Sequence, residues 1–275
     1  MLGRAWETLL RLGNITFDAP TLDTLDLTDE HSIEATLTRK YDVVVNCAAY
    51  TDVDGAETNE ELAASINAVG VALLAERCRA IDATLVHYST DYVFPGDADT
   101  PYAVDRRLEP IGAYGRTKAA GEEAIEHSEC DYLIVRTSWL YAPWGNNFVR
   151  TIARLARERD TLRVVNDQRG RPTSAEHLAR TTLALLSAGA RGIYHACDGG
   201  QCTWFEFAQE IARLTDASCD VQPCETSEFP RPAPRPAYSV LDLATTEDLV
   251  GPMNHWKNNL AQVLRRLEVE QAERT

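Results

Sequence analysis

Two short runs in this chain of 275 residues carry side chains of the types and spacing that proton transfer requires. In Tyr114-Gly115-Arg116-Thr117-Lys118 a phenol and an ammonium stand four residues apart. On a helix such residues share one face, so Lys118 would sit beside Tyr114 and favour its ionised form. In His87-Tyr88-Ser89-Thr90-Asp91 small hydroxyls close an apolar run that begins at Thr84. Thr90 or Ser89 could hold a carbonyl oxygen next to the phenol, and the trio would move a proton while a neighbouring cofactor moves a hydride. With 10 tyrosines and three lysines (Lys40, Lys118 and Lys257) only about 0.1 Tyr-x3-Lys pairs arise by chance. The bland alternative is a surface lysine beside a half-buried tyrosine.

These groups need elements to place them. Hydrophobic spacing predicts helices at 1–12, 28–38, 59–80, 114–127 and 147–158, alternating with strands at 14–18, 42–47, 84–89, 132–137 and 162–166. Such alternation implies an α/β class with a doubly wound, Rossmann-like, mostly parallel sheet. Ligands of these sheets bind at the carboxyl ends of the strands, where Ser89 and Thr90 fall. Further on, helices at 175–187, 203–215 and 255–270 are separated by a strand at 192–196 and a proline-rich run from Phe229 to Pro236. That run reads as a loop wrapped on the domain. The predicted division is a dinucleotide-binding domain at 1–165 and a smaller substrate-binding domain at 166–275.

Composition narrows the partners. The chain has 42 Asp+Glu against 27 Lys+Arg, a net charge of −15, which repels nucleic acid and anionic membrane at long range. A phosphate-bearing ligand must then be held by local groups. An apolar content of 44% is ample for a core and excludes the disordered and fibrous classes. No apolar run approaches a bilayer span and no charged-then-apolar leader opens the chain, so a cytoplasmic location is expected. The 7 cysteines include no C-x-x-C pair and read as reduced thiols. Cys197, Cys202, Cys219 and Cys224 mimic a zinc pattern, but a helix between Cys202 and Cys219 would hold them roughly 20 Å apart, so no metal is expected.

Six runs in order along the chain carry a resemblance. They are His87 to Phe94, the Tyr114/Lys118 pair, Arg136 to Tyr141, Gly145 to Phe148, Asp167 to Thr173 and Arg235 to Asp242. Together they resemble the signatures of the dTDP-4-dehydrorhamnose reductase family, extended short-chain dehydrogenases/reductases. The resemblance implies reduction of the C4 keto group of dTDP-4-dehydro-L-rhamnose by NADH or NADPH. It implies Tyr114 as proton donor, Lys118 as the residue that lowers its pKa and touches the nicotinamide ribose, and Thr90 as the carbonyl's partner. Asp91 and Trp139 would contact the nucleotide sugar. On the cofactor side, Asp26 and Leu27 match adenine positions, while Ala49, Tyr50 and Thr51 match the segment beside the pyrophosphate and ribose. Asp18 ends the predicted second strand; a carboxylate there accepts the ribose hydroxyls of NAD and leans the choice towards NADH. The family's Gly-x-x-Gly-x-x-Gly turn is matched only over its last three positions, by Met1, Leu2 and Gly3. The expected first strand is missing from the run as given, which predicts a natural start upstream. A non-catalytic alternative shares this fold, the regulatory subunit of methionine adenosyltransferase, as do other sugar-nucleotide reductases and epimerases. Pairing of two copies into a homodimer is left open.

Overall fold

The computed structural model describes residues 1–38 and 41–272. Its main sheet has four parallel strands in the order β1 (Val43–Asn46), β2 (Thr84–Thr90), β3 (Tyr132–Thr137) and β4 (Gly192–His195). All seven residues of β2 are buried, as a central strand covered on both faces must be. Side chains alternate between the faces. Val86, Leu133 and Val135 pack with helices Leu2–Leu12 and Ala175–Ser187, whereas Leu85 and Ile134 pack with helix Gly70–Ala80. The register sets Asn46 opposite His87 and Thr90 opposite Thr137.

A second body gathers around Phe207, Trp256 and Leu260. Strand Thr161–Val165 pairs in parallel with Asp220–Cys224 there, flanked by helices Phe148–Glu158, Trp204–Leu214 and Trp256–Ala272. Helix Trp204–Leu214 starts at a reciprocal capping box between Thr203 and Glu206.

Three sequence expectations change. The segment 14–18 is not a strand: an extended segment needs a neighbour's amides and carbonyls, and no described residue offers a ladder. It lines an open groove of about 600 Å³ with Glu7 and Arg11 instead. The strand expected at 162–166 leaves the main sheet because Thr161 and Arg163 are exposed while Leu162 and Val164 are buried, a one-sided pattern unfit for a sheet covered on both faces. β4 and helix Ala175–Ser187 lie with the main sheet, and helix Phe148–Glu158 lies with the second body. Finally, the predicted 59–80 helix is interrupted by a π-helical turn at Ser65–Val69, between Glu60–Ala64 and Gly70–Ala80. No helix among the described residues is long and apolar enough to cross a membrane.

Candidate active site

The carboxyl end of β2 runs straight into a 3-10 turn, Asp91–Val93, for which Thr90 is the N-cap. The Tyr92 amide donates to Thr90 Oγ1 at 3.2 Å, and Thr90 Oγ1 donates to Asp91 Oδ1 at 2.9 Å. Asp91 is only 2% exposed, and burial pushes its carboxyl up to about 6. Its Oδ2 and the Ser89 Oγ are buried without a hydrogen bond among the described residues, while the Ser239 hydroxyl stands near enough to the Asp91 carboxyl to oppose the effect of burial. Buried polar atoms are normally satisfied, so two open ones at a strand's carboxyl end mark a place built for a polar ligand.

Tyr114 comes from the first turn of helix Ala113–His127 and stands edge-on to Tyr92, with ring centroids 6.0 Å apart. Burial and the Asp91 carboxylate raise its phenol above the ordinary value, and the Thr90 hydroxyl opposes them. Thr90, Asp91 and Tyr114 are thus brought together. Lys118 lies one turn on, fully buried, with Nζ donating to the Tyr88 carbonyl at 2.7 Å and 3.0 Å from His87 Nε2. Burial lowers its ammonium to about 8. The lysine's contacts go to β2, and desolvation is the largest influence on the phenol.

The helix is held closely in place. A Cβ at Gly115 would stand 2.1 Å from the Tyr92 carbonyl oxygen, and one at Gly121 2.1 Å from that of Asn67. Asn67, on the π-helical turn, accepts from the Tyr50 amide at 2.9 Å and donates to the Tyr50 carbonyl and to Thr117 Oγ1, each at 3.1 Å. Glu122 receives a forked pair of bonds from Arg136 of β3, at 2.6 and 3.0 Å, with both side chains out of solvent. Asn46, Asn67 and His87 had no assigned role in the sequence reading. The available signal was a polar side chain inside an otherwise apolar stretch, which burial turns into a fixed hydrogen-bond position.

Trp139 takes a positive φ of 46° and stacks on Trp204 at 3.5 Å, over Gly170, where a Cβ would meet the ring at 2.6 Å. It is half-buried, one ring face on the second body. On the cofactor side, helix Leu2–Leu12 begins at Met1 with no described side chain capping its amides, and Gly3 has only Cys47 Cβ near, at 3.7 Å from a Cβ built there. Open N-terminal amides and the helix dipole fit a pyrophosphate. Asp18 is exposed and accepts from the Tyr41 hydroxyl at 2.8 Å. Asp26 is occupied within its own turn, accepting from the Thr28 amide and hydroxyl, which lower its carboxyl, and Leu27 is buried against Gly70. Ala49 and Tyr50 are half-buried and Thr51 exposed just beyond β1.

A family model described as RmlD substrate binding domain matches residues 1–269. The chain belongs to the RmlD substrate-binding-domain family. Among relatives, it is 44% identical over 269 residues to a probable dTDP-4,6-dihydroxy-2-methyloxan-3-one 4-ketoreductase of Streptomyces antibioticus, covering 95% of this chain and 90% of that one. It is 40% identical over 265 residues to the dTDP-4-dehydrorhamnose reductase of Mycolicibacterium smegmatis, covering 94% and 81%. A crystal structure of dTDP-4-dehydrorhamnose reductase from Bacillus anthracis in complex with NADP superimposes with a TM-score of 0.93 at 36% identity, over 96% and 95% of the two chains. The superposition thus extends over nearly the whole length of both chains.

Proposed function

We propose that the protein reduces the C4 keto group of dTDP-4-dehydro-L-rhamnose, giving dTDP-L-rhamnose, with NADH or NADPH as reductant. The observation that carries this reading is the meeting of Thr90, Asp91 and Tyr114 at the end of β2, with Lys118 buried one helical turn away. When bound, the reduced nicotinamide supplies a hydride, and its two electrons form the new C–H bond at C4. Tyr114 gives its phenolic proton to the C4 oxygen as the carbonyl π bond opens. Burial suits that duty, since it keeps the phenol protonated until the oxygen becomes basic. Thr90 orients the same oxygen through its hydroxyl. Asp91 takes a sugar hydroxyl on the open Oδ2, and Trp139 offers its free ring face to the apolar side of the sugar. Lys118 holds the ribose hydroxyls. Met1, Leu2 and Gly3 receive the pyrophosphate at the helix start, Asp18 the adenosine ribose, and Asp26, Leu27, Ala49, Tyr50 and Thr51 line the remainder. The body containing Trp204 supplies the sugar-nucleotide side.

The test is oxidation of NADH and of NADPH by the protein and by its Tyr114→Phe form, with the product's C4 configuration read by NMR. Loss of a positioned general acid lowers kcat by about 100- to 10,000-fold. Equal rates for the two proteins would remove Tyr114 from the mechanism. One relative's name carries a different 4-keto deoxysugar, so the assay includes other dTDP-4-keto sugars, and preferential turnover of one of these would reassign the substrate.

A further inference from the structure

Behind Lys118 runs a hydrogen-bond chain that the reductase reading does not use. The Ala48 amide donates to Asn46 Oδ1 at 3.0 Å, which identifies the other amide atom as Nδ2, a donor. That Nδ2 lies 3.2 Å from His87 Nδ1, so this ring nitrogen must accept, and the neutral imidazole carries its proton on Nε2. Nε2–H then faces Lys118 Nζ at 3.0 Å, and only an unprotonated amine has a lone pair to receive it. Turning the Asn46 amide over transfers the conflict to the Ala48 amide and does not remove it.

We propose that Asn46 and His87 are positioning residues for Lys118, a relay whose hydrogen bonds are all satisfied only when the lysine is a neutral amine. In that state Nζ still donates to the Tyr88 carbonyl. The other ionisable groups around it support the assignment. Glu122 on its own helix is ion-paired with Arg136 of β3, Tyr114 is held protonated, and burial holds His87 of β2 well below its ordinary value. Of these only Glu122 favours the ammonium, and burial of the lysine outweighs it. The proposal deepens the reductase reading, but its test requires no turnover.

Lys118 is one of only three lysines, so a protein labelled with ¹³C at the lysine ε carbons gives a spectrum simple enough to titrate. Its midpoint is expected near 8. In Asn46→Asp the new carboxylate accepts from both the Ala48 amide and His87 Nδ1–H, freeing Nε2 to accept from an ammonium. The Lys118 midpoint is expected to rise by about one pH unit or more, and likewise in His87→Gln, whose amide oxygen accepts from the ammonium. An unchanged midpoint in both variants overturns the relay. So does a long-range ¹H–¹⁵N spectrum of the unsubstituted protein that shows His87 protonated at Nδ1, a measurement that holds even where the variants fold poorly. Absence of NADH and NADPH oxidation by the parent protein with every dTDP-4-keto sugar tried would instead end the reductase reading and leave this proposal intact.

Discussion

Asp91 is the residue at which binding and stability oppose each other. One oxygen has the Thr90 hydroxyl, the other has no hydrogen bond among the described residues, and the carboxyl stands near 6 against an ordinary 3.8. Because the folded value is the higher one, this group's contribution to stability is full below about pH 4 and is lost as pH rises through 6. The gap is worth about 3 kcal/mol at neutral pH. Asp91→Asn, which keeps the Thr90 bond, is expected to raise unfolding free energy by about 2 kcal/mol at pH 8 and to change it little at pH 4, while weakening sugar-nucleotide binding. Urea titrations at the two pH values decide this. A gain of equal size at both would rule out the carboxylate's charge as the cause.

Among the elements, helix Ala113–His127 carries the site's precision. It presents Tyr114 and Lys118 only because Gly115 and Gly121 let its backbone approach two carbonyls, and because Asn67 and Arg136 pin Thr117 and Glu122. The π-helical turn puts Asn67 where it reaches both Tyr50 and this helix, a use of irregular helix common at functional sites. Gly121→Ala forces its new methyl against the Asn67 carbonyl. The expected result is a loss of about 1 to 3 kcal/mol in stability and a lower kcat from a displaced Tyr114, measured by thermal unfolding and by turnover of the folded protein. A kcat that stayed at the parent level would show that the helix tolerates the shift.

At the scale of the whole molecule, the proline-rich loop ties the two bodies together across the site. Arg231 and Arg235 both pair with Asp54, the Ala233 amide donates to the same carboxylate, and Arg235 reaches the Tyr92 hydroxyl at 3.3 Å. Pro234 and Pro236 close a small cavity beside Tyr92 and Tyr114. The sequence's reading of this run as a wrapped loop fits that course. Asp54 and Arg235 are mostly shielded but Arg231 is largely exposed, so the tie is discounted for screening to about 1 kcal/mol. Asp54→Asn is therefore expected to raise the sugar-nucleotide KM about fivefold with kcat nearly kept. High salt should reproduce part of that rise in the parent protein, and a KM indifferent to both changes would sink the idea.

Hydrophobic period and residue type, which the amino-acid order contains outright, determined where β2 and helix Ala113–His127 lie and that Thr90, Tyr114 and Lys118 face one end of a parallel sheet. Local spacing suffices there because a helical turn and a pleat are geometric constants. What the order alone left undecided depends on which surfaces cover one another. Only tertiary packing decided that Thr161–Val165 pairs with Asp220–Cys224, and that Asp26 and Leu27 are absorbed into a turn and the core. Packing also desolvates Tyr114 and sets it beside Asp91 and Tyr92, which raises its phenol, and it turns Lys118 towards His87. Burial and hydrogen-bond direction arise between residues distant along the chain, and both are set when the layers close.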